Sequence, residues 1–232
     1  MGTFLIVHLL TTARAIQGPA AFQRGLAAPR ELPYWIVFEI VCIGLPLIYH
    51  AIYGIKIAFE ARPNVVAYPT GANYAYLLQR LTGLVALAFL VIHIGAFRIP
   101  IVLGTMTTED AFPELCRALS SRVSGVPAVA IAYLVGVAAS VYHLVVGLQG
   151  FCFSWGITGS RRASRLAAGV FALGGMALFV VGANTVTYFA TGAPLLWDPR
   201  FDASDQTESC SGAAAEPLDS AAPSPFPASS VP

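Results

Sequence analysis

The sequence predicts an all-α integral membrane protein, a bundle of five transmembrane helices. Three observations carry that expectation. The 232 residues are 56% hydrophobic and 11% charged, with a mean hydropathy of +0.70, which is the balance of a lipid-embedded chain and not of a soluble domain. Four segments are apolar for long enough to cross the hydrocarbon, and a shorter one precedes them at the N-terminus. The four histidines, His8, His50, His93 and His143, fall one to each of the first four segments. A formal net charge of +1 without a basic cluster argues against a nucleic-acid partner.

Crossing ~30 Å of hydrocarbon at ~1.5 Å per residue takes ~20 apolar residues. The first helix, residues 1–16, has about a dozen before Arg14, enough for ~18 Å. It therefore reads as cut short, with its full form expected to begin about ten residues upstream. Lacking a basic leader and a small-residue cleavage site, it is expected to be a membrane helix and not a signal peptide. The remaining spans are expected at 33–59, 77–103, 126–153 and 166–189, with Tyr34, Trp35, Tyr74, Tyr76, Trp155 and Tyr188 near their ends, where amphipathic rings favour the interface. The connections GPAAFQRGLAAPRELP, EARPNVVAYPTGAN, MTTEDAFPELCRALSSRVSG and TGSRRAS carry loop punctuation. Residues 1–192 thus form the bundle, and the acidic, Ala/Ser/Pro-rich residues 193–232 are expected to be disordered.

Arg62, Arg161, Arg162 and Arg165 share one side and favour the cytoplasm for it. Arg14, Arg24, Arg30, Arg117 and Arg122 weaken that signal from the other side. The expected orientation has the N-terminus cytoplasmic and the C-terminal tail outside. Cys42, Cys116, Cys152 and Cys210 form no CxxC pair, so neither a zinc site nor a redox disulfide is indicated. Without a CxxCH motif, any haem would be held non-covalently, as in b-type cytochromes.

His50, His93 and His143 each lie about sixteen residues into their helix and roughly ten from its end, and His8 also lies near the end of its own. Because successive helices are antiparallel, His8 and His93 share an outer level, and His50 and His143 an inner one. Two histidines on neighbouring helices at one depth are what bis-imidazole ligation of a haem iron requires. Two pairs imply two six-coordinate haems stacked along the membrane normal, an arrangement suited to electron transfer. A single membrane histidine more often hydrogen-bonds to a neighbouring helix; four at two matched depths are not explained that way, since ionisable groups in the bilayer are costly and usually functional.

Around His143, Gly136, Ala139, Gly147 and Gly150 share a helical face, and Gly54 follows His50 by one turn. Small residues there leave room for a porphyrin, or equally for close helix packing. Phe89 and Phe97 flank His93 and suit the wall of a haem edge. Glu39, eleven residues before His50, returns to within ~20° of the same face, which makes it the candidate carboxylate for quinone binding or proton movement; the plainer alternative pairs it with Arg30 or solvent. Arg98 by depth suits the propionates of the outer haem and Arg80 those of the inner, although both could be snorkelling interfacial arginines.

FEIVCIGLPLIYHAIYGIKIAF, YLLQRLTG, FLVIHIGAFRI and WGIT, in this order and on these helices, resemble the five-helix, di-haem cytochrome b anchor subunit of the succinate:quinone oxidoreductases, the succinate dehydrogenase and fumarate reductase family. The resemblance covers roughly residues 1–190. It implies a subunit of a bacterial cytoplasmic membrane without dicarboxylate chemistry of its own. Partner subunits, a flavoprotein carrying FAD and an iron-sulfur protein, would dock on its cytoplasmic face, and electrons would pass to or from a quinone, usually menaquinone. It also implies that His50 with His143 holds the haem proximal to the clusters and His8 with His93 the distal one. The start inside the first helix and the long tail depart from the family pattern. One rival is the cytochrome b subunit of another quinone-linked dehydrogenase, such as hydrogenase or formate dehydrogenase. A rival of another class is a histidine-lined transporter, which calls for broken helices and charged midplane residues; Pro46 is the main such break.

Overall fold

The computed structural model describes residues 1–196 and Cys210. The expectation of a disordered tail over 193–232 therefore lies, except for 193–196 and Cys210, outside the described residues. Helix α1 (Gly2–Thr12) turns through Gly18, held at φ 95°, into α2 (Pro19–Ala27). Then come α3 (Trp35–Glu60) and α4 (Gly71–Val102), a short α5 (Ala111–Ser120), α6 (Ala128–Ser154) and α7 (Arg161–Thr191). Among the described residues there is no strand, only an isolated bridge between Val123 and Val126.

Four helices among the described residues, α3, α4, α6 and α7, of 26, 32, 27 and 31 residues, are long and apolar enough to cross a membrane. The expectation of five spans meets its exception in α1, whose 11 residues make a rod of only ~16 Å. A Cβ on Gly2 would lie 2.7 Å from Leu144, so α1 starts beside the middle of α6 and covers half its length. Leu9 of α1 buries against Val137 and Val141 of α6.

Two span boundaries fall earlier than predicted. Helix α4 begins at Gly71 and not at 77, because the Thr70 side chain caps it by accepting from Asn73 N–H. Helix α7 begins at Arg161 and not at 166, under a Ser160 cap that accepts from Ala163 N–H, so the arginine trio forms its first turns instead of a connection. A hydropathy window sees only the hydrocarbon part of such helices.

Both α3 and α4 are locally rewound. Residues Glu39–Gly44 and Ile94–Arg98 are π-helical, and each segment is followed closely by a proline, Pro46 or Pro100. A proline inside a helix offers no N–H to the carbonyl four residues back and its ring crowds that carbonyl. A widened turn relieves both problems.

The best-buried part of the molecule is a cap at the end of the bundle where α1, α4 and α7 finish. The sequence reading left both of its helices, α2 and α5, inside loops. They are amphipathic and too short to register as spans, yet Phe22 and Phe112 pack edge-to-face on Phe189 of α7, with ring centroids 5.9 and 5.3 Å apart. Ala15, Ile16, Cys116, Leu119, Ala130, Val186 and Tyr188 complete this core. Tyr188, expected at the interface, is only 2% exposed. A disulfide joins Cys116 of α5 to Cys210; the lack of a CxxC pair bears only on a redox disulfide and does not foretell this one, whose cysteines are 94 positions apart in the chain and are brought together only by the fold. Elsewhere α3 leaves most of its apolar side chains exposed, among them Ile36, Phe38, Ile48 and Ile52, as a helix facing lipid does.

Candidate functional site

The four histidines come together as two pairs. His8 of α1 meets His93 of α4 with ring centroids 5.8 Å apart and planes at 74°. His50 of α3 meets His143 of α6 at 5.9 Å and 77°. Two imidazole–metal bonds of about 2 Å each account for about 4 Å between the coordinating nitrogens, and half a ring on either side for the rest. Each pair is thus spaced as two axial ligands of one metal would be. Among the described residues no group of three or more histidine, cysteine or acidic side chains is placed to hold a metal ion, so neither pair is part of an all-protein metal cage.

The depth difference between the pairs can be read from two helices. On α4, Gly83 lies against the His143 ring, since a Cβ there would come within 2.8 Å of Cε1, and His93 is ten residues further on. On α6, Tyr133 bonds His93 and His143 is ten residues further on. Both intervals correspond to ~15 Å of helix. The pairs are therefore stacked along the bundle, His8 with His93 toward the cap.

One nitrogen of each of two rings is already engaged. His143 Nδ1 lies 3.0 Å from the Gln79 carbonyl oxygen, which can only accept, so Nδ1 carries the proton and Nε2 is left for a metal. Gly83 makes this possible, because a side chain there would fill the space the ring occupies. The Gln79 side chain returns a bond from Nε2–H to the His143 carbonyl at 3.0 Å, and Gly147 lets it in, a Cβ there lying 3.2 Å from Gln79 Nε2. At the other level His93 Nδ1 is 3.3 Å from the Tyr133 hydroxyl, with Phe89 stacked on the ring and Phe97 tilted beside it. Phe4 stacks on His8.

The other predicted residues take varied positions. Gly136 makes room for Phe89, whose ring a Cβ would meet at 2.3 Å; it shapes the wall behind His93. Gly54 has nothing within 4 Å of its missing Cβ, leaving open space one turn after His50. Glu39 and Arg98 form a two-pronged ion pair, Arg98 Nε donating to Oε1 at 2.6 Å and Nη2 to Oε2. Both side chains are about a quarter exposed. Glu39 is thus held by Arg98 and not by Arg30, the partner considered from sequence. Arg30 stands near enough to feel both: burial and the Arg98 charge pull its guanidinium below the ordinary value, and Glu39 acts in the opposite direction. Two guanidiniums against one carboxylate leave this cluster one net positive charge.

Arg80 donates from Nη1 to the Ala61 carbonyl at 2.9 Å and lies over the Tyr76 ring. Its Nε is buried without a hydrogen-bond partner, as is Gln79 Oε1. Arg80 also borders a cleft of about 280 Å³ lined by Phe59, Leu77, Leu81 and Leu84. Sequence reasoning missed Gln79, Gly83 and Tyr133. The first two were legible as a pair, since residues four apart share a helical face; nothing local marks Tyr133, which meets His93 only through the crossing of α4 and α6.

Antiparallel apolar helices with two stacked histidine pairs define a multi-pass membrane protein of the cytochrome b type. The chain is 36% identical over 189 residues, 82% of its own length and 90% of the relative's, to the succinate dehydrogenase cytochrome b558 subunit of Bacillus subtilis (strain 168). It belongs to the family of succinate dehydrogenase cytochrome b subunits. No protein-family model matches the chain. No solved structure matches it either.

Proposed function

We propose that this chain is the membrane anchor of a succinate:quinone oxidoreductase, passing electrons between an iron-sulfur partner subunit and a membrane quinone, menaquinone by analogy with the family. The observation that carries the reading is the pair of histidine pairs, each at metal-bridging separation and stacked ~15 Å apart. Haem b, when bound, would supply a one-electron carrier. His50 and His143 would hold one haem, and His8 and His93 the other. The donor sets fit: imidazoles with a ring nitrogen the protein leaves unengaged, open space at Gly54, and cationic side chains at both levels for the propionates. The unsatisfied Nε of Arg80 serves the inner level. At the outer level Arg98 is shared with Glu39, and Arg30 supplies the surplus charge.

The partner subunits, an iron-sulfur protein and a flavoprotein carrying FAD, would dock at the end of the bundle away from the cap, nearer His50 and His143. Glu39 remains the candidate carboxylate at the quinone side. Both of its oxygens are bonded to Arg98, so that pair must open before Glu39 can engage another partner. Glu39→Gln should slow quinone turnover several-fold while leaving haem spectra unchanged; wild-type quinone kinetics in that variant would remove Glu39 from the mechanism.

The cap disulfide supports the proposed orientation, with the N-terminus cytoplasmic and the tail outside, because disulfides persist in oxidising compartments. In right-side-out spheroplasts, a membrane-impermeant maleimide should label Cys116 and Cys210 only after reduction by an impermeant phosphine. Labelling confined to inside-out vesicles would reverse the orientation.

The direct test of function is a reduced-minus-oxidised spectrum with haem quantitation on the purified full chain. Two b-type haems per chain are expected. One haem or none in properly inserted protein would overturn the two-site reading.

A further inference from the structure

The two histidine pairs differ in what holds the second ring nitrogen. His143 Nδ1 is fixed by a main-chain carbonyl, that of Gln79, which no substitution removes. His93 Nδ1 faces a side chain, the Tyr133 hydroxyl at 3.3 Å, contributed by a different helix. A phenol oxygen can accept or donate, so it is the histidine's partner on the other side that decides its role. A ring that binds a metal through Nε2 must carry its proton on Nδ1, and a proton there has the Tyr133 oxygen to go to.

We propose that Tyr133 is a positioning residue of the His8–His93 site, accepting a hydrogen bond from His93 Nδ1–H and thereby setting the orientation of His93 and its electron donation to a bound haem iron. This rests on the reading of that pair as an axial ligand set. The surroundings are arranged for such a role. Tyr133 meets Phe89 edge-on at 5.1 Å and 85°, Phe89 stacks on the His93 ring at 5.6 Å, and Gly136, three residues after Tyr133, gives Phe89 its space. The ring of Tyr133 is thus packed independently of its hydroxyl, so removing the oxygen alone leaves the aromatic contact in place.

Physically, an acceptor on Nδ1–H makes the imidazole a stronger donor through Nε2 and favours the oxidised iron. Taking it away weakens that donation and favours the reduced iron. The effect is local to one level, since the other level's histidine, His143, lies ~15 Å from Tyr133 along α6 and its acceptor is a backbone atom of α4, the Gln79 carbonyl.

The experiment is Tyr133→Phe in the assembled complex, followed by haem quantitation and potentiometric titration of the α-band. Both haems should be retained, and the midpoint of one should rise, by roughly a tenfold change in its oxidised-to-reduced ratio, which is about 59 mV for a one-electron couple. The shifted haem should be the one that His93→Ala removes, with the other midpoint unmoved. Two haems with midpoints unmoved or lowered, or a shift confined to the haem that His50→Ala removes, would overturn the role of Tyr133. Wild-type protein without haem at the His8–His93 level would instead overturn the ligand reading beneath it.

Discussion

The close antiparallel crossing of α4 and α6 is the constraint on which the rest of the structure depends. Each helix brings one histidine of its own and the group that holds the other's: α4 carries His93 and the Gln79 carbonyl bonded to His143, α6 carries His143 and the Tyr133 hydroxyl beside His93. The two intervals of ten residues match only if the helices run oppositely and in one register. Glycines suit that register, since a Cβ on Gly83, Gly136 or Gly147 would crowd a side chain of the facing helix, His143, Phe89 or Gln79 respectively. In lipid, where apolar surface gains little by leaving one hydrocarbon for another, close backbone approach and interhelical hydrogen bonds are what hold helices together. The same contacts that join α4 to α6 therefore orient the functional rings.

The remaining two histidines arrive on helices held differently. Helix α1 is too short to cross alone and is fixed by Leu9 against α6 and by the cap, where Ala15 and Ile16 enter the core with Phe22, Phe112 and Phe189. His8 thus owes its place at His93 to a small soluble-like core at the end of the bundle. Helix α3 is held at its cap end by the ion pair of Glu39 with Arg98. Those residues open and close the two π-helical segments, so each rewound turn, forced by a nearby proline, carries one partner of the pair. A carboxylate inserted near the hydrocarbon is tolerable because its charge is matched by a guanidinium with two parallel bonds.

Much of this was legible in the sequence because lipid simplifies the code. Four spans follow from apolar length, and the grouping of His8 with His93 and His50 with His143 follows from depth alone once neighbours alternate in direction. What depth cannot supply is azimuth: Glu39 pairs with Arg98, which lies 59 positions away, and the π-helical turn over Glu39–Gly44 departs from the regular spacing on which its facing was reckoned. The cap was missed for another reason. Helices α2 and α5 bury a few aromatic residues each, too few to stand out from loop sequence, and the bond between Cys116 and Cys210 has no local signature. Gly136 and Gly147 were recognised as space-makers, but the structure gives that space to Phe89 and to Gln79.

The central claim is that the histidines act in these two pairs, and single replacements of each by alanine test it most directly, with haem counted and its reduced-minus-oxidised spectrum recorded for every variant. The account predicts that His8→Ala and His93→Ala lose the same haem and keep the other, while His50→Ala and His143→Ala show the converse. A loss shared by His50→Ala and His93→Ala with both partners unaffected, or four variants that retain full haem, would contradict it.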